Sequence, residues 1–346
     1  MPTRPARLLA VGFLVILVVA FPSAVRFYTD WLWFGEVGFE AVYTTALRAQ
    51  GAVFVAAFAL TALWMSINLR AALHAVSDVR PVFTTRDGVS LSLPGRRQMQ
   101  RLVPLVSIVV ALFVALFAAG DWQTWWAWWK AAPFGQVDPI LQRDVSFYVF
   151  TLPALQQLHG LGQALIVLAA ATCGALYFVS GSLTTGFPAR FVLSAGARRH
   201  LAVLASAFFV LLALGAWLGR AEHLLETSTL LTGATYADVY ARMPAALIVM
   251  VAAIVGAGLA GMHAMSQRNW PIPAAAGLYL LAAFGGELYS GALQRFVVTP
   301  NEQVRESPFI QHNIDATRHA FGLDTVEAQE LSGDALLTRD DISRNA

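Results

Sequence analysis

Charge is what this chain lacks most. Asp, Glu, Lys and Arg make up 13% of its 346 residues, against 57% apolar residues, where a soluble domain carries about 25% charged residues. Too little polar surface is present for water to be the only solvent. A net charge of +2 gives no reason to expect nucleic acid as a partner. One cysteine, Cys173, excludes a disulfide framework or a thiolate metal cluster within the chain, and its apolar surroundings in sequence read as a small buried residue. Gly-x-Ser-x-Gly, Walker, His-Glu-x-x-His and Gly-x-Gly-x-x-Gly patterns are all missing, so hydrolases, nucleotide-driven proteins and dinucleotide enzymes lack their usual parts. No catalytic residue, cofactor or resident metal is expected. Internal repeats, low-complexity tracts and flexible Gly/Ser linkers are missing too.

What the chain does have is length in apolar runs. Seven stretches approach the roughly 20 residues that cross a bilayer: Leu8 to Val25, Gly51 to Ile67, Leu102 to Ala119, Leu152 to Val179, Leu201 to Leu218, Ala245 to Met262 and Ile272 to Tyr289. The expectation is an all-α, polytopic transmembrane bundle of about seven spans in a cell membrane, with the bilayer as its main partner. The arginines between the spans alternate. Twelve fall on one side (Arg4, Arg7, Arg70, Arg80, Arg86, Arg96, Arg97, Arg101, Arg190, Arg198, Arg199, Arg268), and six cations on the other (Arg26, Arg48, Lys130, Arg143, Arg220, Arg242). Positive charge is retained in cytoplasmic loops, which places the N-terminus inside and the C-terminus outside. The first span has a basic flank like a signal peptide, but Phe21-Pro22-Ser23-Ala24 has no small-x-small cleavage pattern, so it reads as a retained anchor.

The chain divides at Gln294 into a membrane domain, 1–293, and a polar tail, 294–346. The tail is too short for a substantial core of its own and reads as the start of an extracytoplasmic region. Ser307-Pro308 resembles a helix start, and Ile310, Ile314, Thr317 and Phe321 recur at helical spacing before Gly322, which predicts a short amphipathic helix.

Aromatic residues crowd the outer loops, where interfacial helices are expected. Loop one runs from Arg26 to Gly35, and in loop three Trp122, Trp125, Trp126 and Trp129 are spaced i, i+3, i+4, i+7. Such spacing suits a helix lying at the headgroup level, as an anchoring belt or as a stacking surface for a lipid headgroup or sugar. Glu287 is the one carboxylate inside a span; buried charge is costly enough to make it a ligand-site candidate, with an interfacial or arginine-paired role as the alternative. His159 and His263 read as hydrogen-bonded interface residues. His312, Asp315 and His319 share one helix side, a spacing that suits three zinc ligands and equally a solvated polar face. Ala252, Gly256 and Ala260, and Gly160 with Ala164, are candidate close-approach points between helices.

Two strings carry a resemblance: Phe134-Gly135-Gln136-Val137-Asp138-Pro139 with its continuation to Pro153, and Gln294-Arg295-Phe296-Val297-Val298-Thr299-Pro300-Asn301-Glu302 with Asn313 to Leu323. With Asp30-Trp31-Leu32-Trp33-Phe34 and Gly233-Ala234-Thr235-Tyr236-Ala237-Asp238-Val239, the chain resembles the large bacterial membrane proteins of uncharacterised protein family 0182. That resemblance implies architecture, a seven-span bundle followed by a long extracytoplasmic region, and adds no catalytic residue. Ser290 departs from it, standing where a proline is expected, and the chain stops at Asn345-Ala346 where the family pattern continues, which suggests a truncated product. The expected role is a membrane anchor and platform, with Asp138, Asp144, Arg295, Asn301, Glu302, Glu306, Asn313 and Arg318 building the platform and envelope proteins or lipids as partners. The alternative is a transporter or lipid-handling protein with an outward-facing cavity past Glu287 and the tryptophans.

Overall fold

The computed structural model describes residues 4–76, 82–84, 90–92, 95–186, 190–227, 232–266, 268–327 and 338–344. Its helices are α1 (Arg4–Glu36), α2 (Glu40–Ala75), α3 (Arg96–Gly120), α4 (Trp122–Trp129), α5 (Leu152–Val179), α6 (Ala195–Glu222), α7 (Met243–Met265), α8 (Pro271–Leu293), α9 (Glu302–Ala320) and α10 (Arg339–Arg344). Two small antiparallel hairpins, β1 (Val82–Thr84) with β2 (Ser90–Ser92) and β3 (Leu183–Gly186) with β4 (Arg190–Leu193), close the α2–α3 and α5–α6 connections; the spacing of apolar residues did not reveal them. The chain is an all-α bundle. Among the described residues six helical runs are long and apolar enough to cross a membrane, the last being the run from Pro271, whose apolar part is α8. The expected first span, Leu8 to Val25, falls within α1, on residues whose side chains lie largely outside the described set.

Helices outrun the apolar windows. The Arg26–Gly35 segment, read from sequence as a loop, is the last part of α1, because nothing from Arg26 to Phe34 breaks a helix; only a turn at Val37–Gly38 separates it from α2. The tail helix likewise starts at Glu302, not at Ser307, and Pro308 lies inside it. From α8 the chain passes through a π turn, Gln294–Val298, and a 3-10 turn, Thr299–Asn301, and Asn301, at φ −133° and ψ 38°, is the break from which α9 starts. Gly322, at φ 66°, ends the helix as expected.

Three π turns share one local cause. They occupy Phe147–Thr151, Asp238–Arg242 and Gln294–Val298, and a proline follows the first residue of each by six positions: Pro153, Pro244 and Pro300. Proline has no N–H and its ring crowds the carbonyl four residues earlier. Widening the preceding turn relieves that crowding, and Leu152, Met243 and Thr299 each donate to the carbonyl five residues back. All three turns lie at the same end of the bundle, the rim, which also carries α4 and α9.

Packing is densest at the opposite end. Met65, Leu69, Ala72 and Leu73 of α2, Met99 and Val103 of α3, Cys173 and Tyr177 of α5, and Ala197 and Leu204 of α6 form one buried cluster. A polar chain runs through it: the Tyr177 hydroxyl meets His200 Nδ1 at 2.8 Å and His200 Nε2 meets Asn68 Oδ1 at 3.1 Å. If Tyr177 donates, the tautomer with Nε2–H satisfies both contacts and ties three helices together. α7 approaches α6 closely at Gly256, where a β-carbon would stand 2.8 Å from Phe209 Cδ1, and Ala252 and Ala260 are buried on the same helix. Gly160 and Ala164, by contrast, are exposed and bring no helix close. Large side chains such as Phe113, Phe117, Leu281 and Leu288 face outward, as a lipid-facing surface requires.

Overpacking at Gly256 therefore costs stability. Gly256→Leu should destabilise the detergent-purified protein by about 1–3 kcal/mol, seen as a lower melting temperature. Gly258→Leu, where a β-carbon meets nothing within 4 Å, should leave melting nearly unchanged.

Candidate functional site

The connection from α4 to α5 closes on two aspartates. Asp144 accepts from the backbone N–H groups of Phe134 (3.1 Å), Gly135 (2.9 Å) and Ser146 (2.9 Å). Asp138, 8% exposed, accepts from the N–H groups of Ile140 and Leu141, both at 2.9 Å, and from the Tyr148 hydroxyl at 2.8 Å. Backbone bonds from Asp138 to Arg143 (2.8 Å) and from Val145 to Gln136 (2.9 Å) complete a rigid turn, with Gln142 at a positive φ of 56°.

A second carboxylate system joins the tail to the α6–α7 connection. The helix leading into α7 begins at Tyr236, and its first N–H groups have no partner within their own helix. Asp238 Oδ2 takes the N–H and the hydroxyl of Thr235, each at 2.7 Å. Glu306, seventy residues away and 2% exposed, takes the N–H of Tyr236 at 3.0 and 3.3 Å. A helix N-terminus is the favourable place for such a charge. Around that contact Phe309 meets the Tyr236 ring edge-on at 6.3 Å, Arg305 lies 5.2 Å over the same ring, and Asn313 donates to the Thr232 carbonyl at 2.6 Å. The buried face of α9 is thus Glu306 and Phe309. Ile314 and Phe321, expected on that face, are exposed.

Between the two systems lies a cleft of ≈ 1010 Å³, lined by Val137, Pro139 and Tyr148 on one wall and by Phe309, His312 and His319 on the other. Below it, between α5, α6, α7 and α8, is a cavity of ≈ 480 Å³ that His159, Gln163, Glu222, Arg242 and Glu287 help to line. Glu287 is exposed and has no ion-pair partner among the described residues. His159 is held by a 2.9 Å contact from Nε2 to the Leu211 carbonyl, and His263 by one of 2.8 Å to the Arg268 carbonyl.

Other expectations are redistributed. Trp122 and Trp125 are half-buried, while Trp126 and Trp129 are exposed, and Lys130 lies 5.6 Å over the Trp126 ring. Arg295, Asn301 and Glu302 are exposed where α8 passes into α9. Arg318 turns to its own tail, donating to the carbonyls of Leu323 and Val326 at 3.4 Å, and tail residues 328–337 lie outside the described set. His312, Asp315 and His319 do not converge: Asp315 pairs with Gln311 and His319 with Asp324. The convergent group is one that sequence reading missed, His223, Glu226 and Asp238, whose donor atoms lie within 4.8 Å of one another. Their separation in sequence gave no signal. Arg242 supplies positive charge there already, 2.8 Å from Asp238 and 3.6 Å from Glu226.

The profile of an uncharacterised protein family, UPF0182, matches residues 7–346. A UPF0182 protein from Streptomyces coelicolor is 33% identical over 96% of this chain and 34% of its own length. Relatives from Kocuria rhizophila and Cupriavidus necator are 36% and 32% identical, each over 94% of this chain and over 33% and 36% of their own lengths. The chain spans about a third of the length of these curated relatives. No solved structure matches it.

The two rim carboxylate systems respond oppositely to pH. The Ser146 side chain, then the N–H groups of Phe134, Ser146 and Gly135, hold the Asp144 carboxyl down at about 2. Burial, joined by the charges of Asp238 and Glu302, pushes Glu306 above its ordinary 4.5 despite the Tyr236 N–H. A lowered acid stabilises the fold above its unfolded pKa and loses that as pH falls through the folded value; a raised acid stabilises fully below its unfolded pKa and loses that as pH rises through the folded value. From pH 4 to pH 8 the Asp144 turn should therefore stay constant, while α9 docks more loosely as pH rises. A spin label at Ala316→Cys should gain mobility over that range, and Glu306→Gln should flatten the profile.

Proposed function

The chain belongs to the uncharacterised protein family UPF0182, and we propose that it forms a bacterial cell-membrane module that anchors and orients an extracytoplasmic region on a platform at its rim. The carrying observation is the burial of Glu306 against the Tyr236 N–H. Through it the polypeptide leaving the last apolar helix is held on the bundle at the moment it emerges. Arginine asymmetry supports placing the rim outside, with an inside N-terminus and α1 as the seventh crossing. The aspartate-closed turn forms one side of the platform, and the α6–α7 connection with α9 docked on it forms the other, across the cleft. Envelope proteins or lipids are the partners such a surface would meet, and no step of chemistry is assigned to it.

The ≈ 480 Å³ cavity with Glu287 favours a second reading, a transporter or lipid-handling protein with an outward-facing cavity. The opposite end is filled by the Met65–Tyr177 cluster, where Asn68, His200 and Tyr177 bond to one another. The anchoring reading accounts for more of the rim.

Glu306→Ala leaves a helix N–H unpaired, a loss of about 1–3 kcal/mol. In right-side-out vesicles its tail should be cleaved by added proteinase K about tenfold faster than the wild-type tail. Arg318→Ala, whose bonds stay within the tail, should change the rate little. A Glu306→Ala tail as resistant as the wild type would remove the platform.

A further inference from the structure

Two rim arginines have no carboxylate partner among the described residues, and they meet in one pocket. Arg143 is stacked rather than paired, its Cζ 4.7 Å from the Phe147 ring centroid and 5.7 Å from that of Trp217. Arg220 stands three residues after Trp217 on α6, and its Nε is buried without a hydrogen-bond partner. With Leu141, Phe147 and Leu218 the two guanidinium groups enclose a pocket of ≈ 130 Å³, about four times the volume a water occupies in the liquid and so of a size for a phosphodiester oxyanion. The nearby carboxylates are engaged elsewhere: Asp138 with its N–H and hydroxyl donors, Glu222 with Gln156 at 2.8 Å.

The pocket shares one residue, Trp217, with a wholly apolar groove. Trp217 also closes one end of a groove of ≈ 480 Å³ between α6 and α7, with Val210, Ala213 and Leu214 on one helix and Met250, Ile254 and Ala257 on the other. Ala213 and Ala257 are buried and form its floor, while Val210, Leu214 and Ile254 are exposed walls. From Val210 to Trp217 it runs about 10 Å along the helix axis. Arginine pairs bind phosphate oxygens in bidentate fashion, tryptophan and arginine sit favourably at the headgroup level, and the groove matches a hydrocarbon chain. Neither feature alone selects a ligand. An oxyanion pocket joined to an acyl-sized groove selects a molecule that has both parts.

We propose that this surface is a binding site for one anionic glycerophospholipid, with its phosphate between Arg143 and Arg220 and an acyl chain along the α6–α7 groove. The site is separate from the platform contact at Glu306 and stands whether or not that contact orients a further region. It also assigns a role to two of the six cations on the arginine-poor side of the bundle.

The test is native mass spectrometry of the full chain, purified in detergent and titrated with dioleoylphosphatidylglycerol, dioleoylglycerol or glycerol 3-phosphate. Wild-type protein should retain phosphatidylglycerol about tenfold or more tightly than dioleoylglycerol, the scale of one charge-assisted hydrogen bond. Arg143→Gln/Arg220→Gln should bring it down to the dioleoylglycerol level. Ile254→Trp, on an exposed groove wall, should lose the lipid with both arginines intact, and it carries the test if the double variant does not fold. Retention of phosphatidylglycerol by both variants at wild-type affinity would overturn the site. Glycerol 3-phosphate displacing the lipid at equal concentration would overturn its assignment to a phospholipid.

Discussion

A membrane-crossing helix leaves its first N–H groups unanswered just where the bilayer ends, and the rim of this protein is organised by how those groups are satisfied. For the helix entering α7 the answer comes partly from Asp238, within the same connection, and partly from Glu306, on a helix that follows two apolar helices later. A local cap would have sufficed for helix stability. Taking the second cap from the tail makes the start of α7 and the position of α9 one interaction. Phe309, Arg305 and Asn313 then arrange themselves around it. Burial raises the Glu306 carboxyl and outweighs the Tyr236 N–H, which lowers it.

The same logic separates the two ends of the bundle. Away from the rim, the helices are drawn together by Met65, Leu69, Cys173 and Tyr177 and cross-tied by Asn68 and His200. At the rim a smaller buried cluster, Tyr148, Leu152, Leu218 and Ala221, sits beside widened turns. Pro153, Pro244 and Pro300 each follow a π turn, and between the helices that carry them the structure opens into a cavity and a cleft. Cavities and irregular backbone occur together here, where the regular helix ladder is interrupted.

Much of the fold was legible from hydropathy. The expected fourth span, Leu152 to Val179, coincides with α5, and Ala252, Gly256 and Ala260 lie on the buried face of α7. Where reading failed, the causes are physical. Aromatic content made Arg26 to Gly35 look like a loop, although nothing in it opposes a helix, and Ser307-Pro308 looked like a start because proline suits a first turn and is costly in an interior, yet Pro308 lies inside α9. Residue type pointed to Asp138, Asp144, Glu306 and Asn313, but not to what each would contact. Long-range pairs such as Glu306 with Tyr236, or Arg143 with Trp217, have no signature in sequence spacing. The regularity of a proline six residues after each π turn's start was present all along, but only the backbone shows what it does.

The claim that the tail caps the α7 helix rests on one amide. Hydrogen–deuterium exchange of the Tyr236 N–H, measured on the protein reconstituted in phospholipid nanodiscs, reports directly on whether Glu306 holds it. The account predicts exchange as slow as that of the amides within α7. Exchange as fast as that of an exposed loop amide, with α7 itself still protected, would contradict it.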